Sequence, residues 1–305
     1  MMRTLTAVKN NSKGSDKMRI INVAELTENL REMCIEANLH LAGDMRQALD
    51  RAYESETGAV GKNILGQLKA NLQIADSEQI PICQDTGMAV VFVKAGQEVY
   101  FEGGSIAEAI NEGVRQGYAD GYLRKSVVAD PLFRVNTKDN TPAIVHYEPV
   151  PGDKVELTIA PKGFGSENMS RIFMLKPADG EEGIKKAVIT AVTDAGANAC
   201  PPMVVGVGVG GDFEKAAIMA KHALAGPLNG VSVYEGAGDE AINSWNRIHD
   251  ELFESLNSLG IGPGGLGGSN TVLGLNIETF PTHIAGMPLA VNICCHVNRH
   301  VTRVI

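Results

Sequence analysis

Helical and strand-like hydrophobic patterns alternate along this chain from about residue 22 to its end, and no linker separates them. Apolar residues recur at three- and four-residue steps from Leu26 to Leu41, whereas the Val-rich run 203–209 is typical of a buried strand. Mixed elements without a break favour one shared core. The pattern therefore predicts the α/β fold class, a mixed sheet with flanking helices, as a single compact domain over residues 18–305.

The element boundaries follow from the same periodicity. Asn22 is predicted to cap the first helix and Gly43 to end it. The predicted helices cover 22–43, 44–55, 60–75, 105–119, 181–196, 212–225 and 238–258. The predicted strands cover 88–93, 142–148, 154–160, 203–209, 272–279 and 288–294. Loops at 81–87, 198–202 and 260–268 precede three of these strands.

Charge and hydropathy narrow the possible partners and location. The net charge of −9 argues against nucleic acid, which requires clustered Lys and Arg. No apolar run approaches the roughly 18 residues that a membrane helix needs, so no membrane contact is expected. Residues 1–17 are polar and lack the apolar centre of a signal peptide, which predicts a disordered tail and a cytoplasmic protein.

The five cysteines, at positions 34, 83, 200, 294 and 295, do not have the pattern of a disulfide framework, because their number is odd and their spacing wide. Cys34 lies on the apolar stripe of the first helix and is expected to be a core thiol. Cys83, Cys200 and Cys295 each stand at a junction between a strand and a loop. Metal or cluster binding, catalysis and plain burial all remain open for these three.

The spacing of these cysteines excludes some metal sites. Without a C-x₂-C pair a zinc ribbon or finger is not expected, and without a closely spaced run neither is a ferredoxin. Three distant cysteines would leave one iron of a cubane without a protein thiolate. Such an iron can act as a Lewis acid, which favours catalysis. An electron-transfer protein would need a fourth ligand, such as Cys294 or His296.

Polar residues near these loops add candidate chemistry. Asp85, two residues after Cys83, could serve in proton transfer or could form an Asx-turn with Thr86 and Gly87. Arg124 could clamp a carboxylate, although its own context, taken alone, favours a solvated surface arginine. The glycines of the segment 162–168 permit backbone N–H groups to approach an anion. His283, twelve residues before Cys295, could be structural or catalytic.

The segment Gly206–Gly211 presents a different hypothesis, a dinucleotide-binding oxidoreductase. It matches G-x-G-x-x-G between a strand and a helix, and Glu235 follows 24 residues after Gly211. Against this hypothesis, Gly206 and Gly208 alternate with valines inside the predicted strand itself.

Five motifs in order give the chain a family resemblance. They are Ile-Cys-Gln-Asp-Thr-Gly at 82–87, Lys-Gly-x-Gly-Ser-Glu-Asn at 162–168, Asn-Ala-Cys-Pro-Pro at 198–202, the glycine-rich run 260–267, and His283 followed by Cys295. Over residues 20–305 the chain resembles the alpha subunit, or N-terminal half, of class I iron–sulfur fumarate hydratases. L-tartrate dehydratase alpha subunits are close relatives of these. The Gly-Ser-Glu-Asn loop is more similar to the fumarase version.

The resemblance implies a [4Fe–4S] cluster ligated by Cys83, Cys200 and Cys295, with one iron open to a small dicarboxylate substrate. Cys294 competes with Cys295 for the third place, and His296 stands where relatives often have Trp.

The resemblance also implies site residues and a partner. Asp85 and His283 would be catalytic, and Gln84, Asp85, Arg124 and Gly165 would contact the substrate. The reaction implied is the reversible hydration of fumarate to (S)-malate, with L-tartrate dehydration as the alternative. The chain ends ten residues after Cys295, so the C-terminal half of the active site is expected on a separate beta subunit in a hetero-oligomer.

Overall fold

Eight α-helices and eleven strands form residues 18–305, the part of the chain that the computed structural model describes. The helices are α1 (Val23–Leu39), α2 (Gly43–Ser55), α3 (Ala59–Glu78), α4 (Ile106–Asp120), α5 (Phe164–Glu167), α6 (Gly180–Ala195), α7 (Phe213–His222) and α8 (Asp239–Asn257). The strands are β1 (Arg19–Asn22), β2 (Met88–Gly96), β3 (Val99–Glu102), β4 (Ile144–Val150), β5 (Val155–Lys162), β6 (Arg171–Leu175), β7 (Met203–Gly211), β8 (Val231–Ser232), β9 (Val272–Thr282), β10 (Met287–Cys294) and β11 (Val301–Val304). The disordered tail predicted for residues 1–17 lies outside the described residues.

Side-chain caps begin three of the eight helices, α1, α4 and α7. Asn22 caps α1 as predicted, because its side-chain oxygen accepts the N–H of Ala24 at 3.0 Å. Ser105 caps α4 in the same way. The prediction that Gly43 ends the first helix is wrong: α1 ends at Leu39, and Gly43 is the first residue of α2.

The strands form two mixed sheets and one short parallel pair. The four-stranded sheet has the order β11-β5-β2-β4, and the five-stranded sheet has the order β6-β10-β7-β9-β8. Each sheet contains parallel and antiparallel neighbours. Strands β1 and β3 pair separately. The predicted α/β class with flanking helices is therefore confirmed, although the strands divide between two sheets.

Helices and sheets stack in layers around one central helix. Helices α1 and α4 cover one face of the four-stranded sheet, and α6 and α8 cover the outer face of the five-stranded sheet. Helix α7 lies between the two sheets. Its Ala216 and Ala220 pack on Ala290 of β10, while Ile218 contacts the cluster of Val90 and Phe92 on β2.

The alternating glycines of β7 make room for α7. A Cβ at Gly206 would lie 2.2 Å from the carbonyl oxygen of Ala220, and a Cβ at Gly208 would lie 2.2 Å from that of Ala216. Both glycines lie inside the strand, as the sequence predicted, and their role is helix packing. Among residues 18–305, none of the helices combines the length and apolarity needed to cross a bilayer.

Candidate active site

Two of the three candidate cysteines meet at one edge of the five-stranded sheet. Strand β10 runs antiparallel to β7, with Cys294 opposite Val204, so the end of β10 lies beside the start of β7. Cys295 directly follows β10, and Cys200 stands three residues before β7. A hydrogen bond joins the two loops, because Nδ1 of His296 lies 3.0 Å from the carbonyl oxygen of Cys200. Since a carbonyl only accepts, this ring nitrogen is the donor.

Cys83 reaches the same place from the four-stranded sheet. It lies five residues before β2, and its neighbour Ile82 packs in one apolar cluster with Val204 and Cys294. Burial raises the pKa of the Cys200 thiol, and the nearby Cys83 raises it further. All three cysteines are free thiols, and the structure brings their loops together.

Cys294 and Cys295 differ in exposure. Cys294 is only 3% exposed and belongs to the apolar cluster behind the loops, whereas Cys295 is partly exposed. The neighbouring Cys295 thiol, helped by the charges of Lys162 and Arg299, lowers the pKa of Cys294. The neighbouring Cys294 thiol in turn raises the pKa of Cys295. The more accessible Cys295 is thus the better placed of the two to bind a group at this edge.

The carboxylate of Asp85 connects two loops of the site. Its Oδ1 accepts the N–H of Gly87 at 3.0 Å, which is the Asx-turn considered above. Its Oδ2 accepts the N–H of Phe164 at 3.0 Å, at the start of α5. Gly87 has φ +78°, and a Cβ there would lie 2.7 Å from the backbone nitrogen of Lys162, so only glycine fits. Both oxygens of Asp85 are therefore held in fixed positions.

Buried side chains support the 83–87 loop from below. The hydroxyl of Tyr118, on α4, donates to the carbonyl oxygens of Thr86 at 2.7 Å and Gly87 at 3.0 Å. Nδ2 of Asn140 also donates to Gly87 O, at 3.1 Å. The hydroxyl of Thr86 donates to the carbonyl oxygen of Arg124 at 2.9 Å. This last bond places the backbone of Arg124 beside the loop, with its side chain exposed.

The segment 162–168, which includes Gly165 on α5, is fixed to β10 by a buried lysine. Nζ of Lys162 donates to the carbonyl oxygen of Ile293 at 2.6 Å and to the Ser166 hydroxyl at 3.1 Å, and it pairs with Glu167 at 3.2 Å. A Cβ on Gly165 would find its nearest neighbour, the carbonyl oxygen of Asn198, at 3.9 Å. Gly165 therefore faces the Cys200 loop.

The glycine-rich run 260–268 supports the Cys200 loop from the other side. The N–H of Gly264 donates to the carbonyl oxygen of Pro201 at 2.8 Å. Glu56, only 3% exposed, holds the end of the run by accepting the N–H of Ser269 and a side-chain N–H of Asn270, at 3.1 and 3.0 Å. The run is thus a scaffold for the cysteine loop.

Gln84 lies at the site, and His283 does not. Gln84 is exposed, and its Oε1 lies 3.2 Å from the Cys83 sulfur. His283 is exposed in the turn between β9 and β10, at the opposite end of β10 from Cys295. At about 3.3 Å per strand residue, that separation is roughly 25 Å. Within one chain the structure therefore separates His283 from the other candidate residues.

Sequence reasoning did not single out Tyr118, Asn140 or Arg299, although each holds a loop of the site. Tyr118 lies on the buried stripe of α4 and reads as a core residue. The roles of Asn140 and Arg299 depend on contacts with distant carbonyl oxygens, for which the local sequence gives no signal.

The donor set at this edge is suited to an iron–sulfur cluster. Three thiols, unpaired and on separate loops, offer one ligand each to different irons, the arrangement by which cysteines bind such clusters. No three His, Cys, Asp or Glu side chains in residues 18–305 are grouped to hold a single metal ion. A cubane does not require that grouping, because each thiolate binds its own iron.

Comparison with known proteins assigns the family. Residues 27–304 match the family model "Fumarate hydratase (Fumerase)". A Methanocaldococcus jannaschii protein named "Putative L(+)-tartrate dehydratase subunit alpha" is 39% identical over 278 residues, which are 89% of this chain and 94% of the relative. The L(+)-tartrate dehydratase subunit alpha of Escherichia coli K12 is 30% identical, over 95% of this chain and 93% of the relative. Because the model and these relatives each cover nearly the whole chain, the protein belongs to the fumarate hydratase family of hydro-lyases.

Proposed function

We propose that the chain is the iron–sulfur subunit of a hydro-lyase that interconverts fumarate and (S)-malate, with a [4Fe–4S] cluster on Cys83, Cys200 and Cys295. The observation that carries the proposal is the meeting of three cysteine loops from two different sheets. The bond from His296 to the Cys200 carbonyl joins two of them, and the apolar cluster with Ile82 brings in the third. When bound, the cluster supplies a Lewis-acidic iron for a hydroxyl and a carboxylate.

Asp85 is the proton-transferring group in this proposal. Each of its oxygens accepts one backbone N–H, so the carboxylate has a fixed orientation, and each oxygen keeps a lone pair with which to hold a proton. It lies two residues from Cys83, which keeps it beside the group that the cysteine binds.

The substrate carboxylates are held by residues around Asp85. Arg124 offers a guanidinium that can bind a carboxylate bidentately, and its backbone is tied to the Asp85 loop through Thr86. Gly165 and Gln84 complete the chain's contribution. His283 belongs to the same site only if a second copy of the chain brings it there.

A second subunit completes the site in this proposal. The relatives are named subunit alpha, which points to a partner chain. Around the cysteine edge, large apolar side chains are exposed without cover in residues 18–305: Tyr122 is 92% exposed, Leu266 68% and Phe164 48%. Such a surface beside an open site is suited to a protein partner, a beta subunit in a hetero-oligomer.

L-tartrate dehydration is the second candidate, because the relatives named above are tartrate dehydratase subunits. Malate and tartrate are both small hydroxy dicarboxylates, and they differ by one hydroxyl group. The residues assigned here hold groups that both substrates share, so substrate competition decides between the two.

The decisive experiment is anaerobic reconstitution of the chain with iron and sulfide, followed by spectroscopy and by assays with its partner on malate, fumarate and L-tartrate. We expect a cluster signal that changes when substrate is added, and malate turnover well above tartrate turnover. Dominant tartrate turnover would establish the second candidate. Failure of the wild-type chain to bind a cluster would refute the proposal as a whole.

A further inference from the structure

Arg299 is a buried cation without a carboxylate partner. It follows Cys295 by four residues and is only 4% exposed. In the described part of the chain its hydrogen bonds go only to backbone carbonyl oxygens, and no Asp or Glu pairs with it. Burying an unpaired charge is unfavourable unless a negative group compensates it.

The guanidinium joins the Asp85 loop to the end of β5. Its Nε donates to the carbonyl oxygen of Pro161 at 3.1 Å, and its Nη2 donates to the carbonyl oxygen of Asp85. A Cβ built on Gly163 would lie 3.3 Å from Oδ2 of Asp85 and 3.8 Å from this Nη2. Arg299 therefore lies where the Asp85 loop meets the junction of β5 and α5.

The remaining arm of the guanidinium has a donor to spare. Nη1 is buried and has no hydrogen-bond partner among residues 18–305. Buried donors in folded proteins are nearly always paired, so this donor is available to a water molecule or to a group bound at the site.

The chain places Arg299 on the same segments as two of the proposed ligands. Cys295 precedes it by four residues, and Asp85, whose carbonyl oxygen accepts from Nη2, follows Cys83 by two. The Asp85 carboxylate also lies near the guanidinium but forms no ion pair with it. The guanidinium is thus a cation held between the segments that carry two of the thiols.

We infer that Arg299 is a positioning residue of the cluster site: its charge balances the ligand thiolates and the cluster, and its two hydrogen bonds hold the Asp85 loop against the end of β5. The inference rests on the proposed function, because it assumes that these cysteines bind a cluster. The inference assigns two separable roles, charge balance and loop positioning, to one side chain. Lysine retains the charge and loses the planar set of N–H donors that bonds the two carbonyl oxygens.

The test compares Arg299→Met and Arg299→Lys in the cluster-loaded chain with its partner. The matched control is Arg303→Met. In the wild-type protein the guanidinium of Arg303 pairs with Glu32 and Glu36 on α1. For each variant, iron content, the midpoint of an EPR-monitored redox titration, kcat and KM are measured. Wild-type protein that binds no cluster would refute the proposed function and this inference with it, whereas a result confined to the Arg299 variants bears on the inference alone.

We expect Arg299→Met to shift the midpoint to more negative potential, because the reduced cluster loses a compensating cation. Arg299→Lys retains the wild-type midpoint, yet its kcat falls about 10-fold, the usual size of such second-layer effects. Arg303→Met changes neither quantity. A purely structural role would lower thermal stability and leave the midpoint of every cluster-loaded variant unchanged.

The inference is overturned if Arg299→Met loads wild-type iron and keeps the wild-type midpoint. If that variant does not fold, Arg299→Gln replaces it, because its amide can still donate to one carbonyl while carrying no charge. If neither neutral variant folds, the lysine variant decides: a shifted midpoint there contradicts the assignment of charge balance, and an unshifted midpoint with reduced kcat supports it.

Discussion

At the scale of single residues, the neighbouring cysteines at the end of β10 show how one position in a strand changes the environment of a side chain. Cys294 is still paired in the sheet and is 3% exposed, while Cys295 has left it and is partly exposed. Successive side chains of a strand point to opposite faces, so identical residues in sequence are not equivalent in space.

Substitution of each cysteine by serine tests their assignment. Cys295→Ser is expected to lose most of the iron after reconstitution, because serine does not replace a thiolate ligand of the cluster. Cys294→Ser, the matched control, keeps iron near the wild-type content. Iron and sulfide assays with the visible spectrum measure both. The reverse pattern would make Cys294 the third ligand.

Asp85 gives a second residue-scale prediction. Asp85→Asn keeps one acceptor oxygen for the loop but cannot take up a proton, so kcat should fall by about 10²- to 10⁴-fold with iron content unchanged. Asp130→Asn is the control, because Asp130 also accepts two backbone N–H groups, those of Leu132 and Phe133, in a loop of its own. Steady-state assays with the partner measure both. Equal losses in the two variants would assign Asp85 a structural role alone.

Residues whose role is set by local sequence were predictable, and those whose role is set by distant contacts were not. The turn at Asp85 and the cap at Asn22 follow from side chains that bond two residues along the chain. The second bond of Asp85, to Phe164, joins residues 79 positions apart. Arg299 bonds Pro161 across 138 positions, a contact that only the folded chain creates.

At the scale of elements, the closeness of α7 to β7 depends on glycines without side chains. We expect Gly208→Ala to destabilise the protein by about 2–3 kcal/mol, because the new methyl group would overlap the Ala216 carbonyl. Gly286→Ala, in the turn before β10 with open space around it, should change the free energy of unfolding by less than about 0.5 kcal/mol. Chemical denaturation measures both. A neutral Gly208→Ala would show that the helix can retreat without cost.

The attachment of α2 and α3 to the glycine-rich run depends on a buried carboxylate. Burial favours a higher pKa for Glu56, but the hydrogen bonds from Asn270, Gly58 and Ser269 outweigh it and leave the pKa below its usual value. A carboxyl group with a depressed folded-state pKa stabilises the protein above its unfolded-state pKa. That stabilisation is lost as the pH falls through the lower, folded-state value.

Glu56→Gln should therefore cost about 1–3 kcal/mol at pH 7 and less at low pH, where the wild-type protein has itself lost the charge. Thermal unfolding measured from pH 7 down to acid pH gives the difference. Glu54→Gln, which removes an exposed carboxylate from the last turn of α2, is the control and should be nearly neutral. A difference that stays constant with pH would contradict the role of the charge.

Long elements with strong periodicity were predictable from sequence, and short edge strands were not. All seven long helices and the six longest strands lie within a few residues of their predicted positions, although the first helix ends at Leu39 and not at Gly43. Strands β1, β3, β6, β8 and β11 were missed. They have two to five residues each, too few for an alternation to stand out, and their pairing partners hold them in place.

At the scale of the whole molecule, the α/β class was predictable because every long element carries an apolar face. The separation into two sheets with α7 between them was not, because nothing local in a strand states which sheet it joins. The convergence of Cys83 with Cys200 depends on that separation, so the site could be expected from family resemblance but not from periodicity.

The isolated chain is expected to fold and to bind the cluster while showing little or no hydro-lyase activity. Residues 18–305 form hydrophobic core clusters without help from another chain, and all three proposed ligands belong to this chain. Size-exclusion chromatography, iron analysis and malate assays with and without the partner check each part. Full activity of the purified chain alone would contradict the need for a beta subunit.

The proposed ligands come from both sheets: one cysteine precedes a strand of the four-stranded sheet, and two flank strands of the five-stranded sheet. A group bound to all three would cross-link the two sheets, and its binding free energy would add to the stability of the contact between them. Loss of iron in air would then weaken the contact between the two sheets as well as stop turnover. Oxidative damage to this protein would then appear as faster proteolysis of the segments between the two sheets.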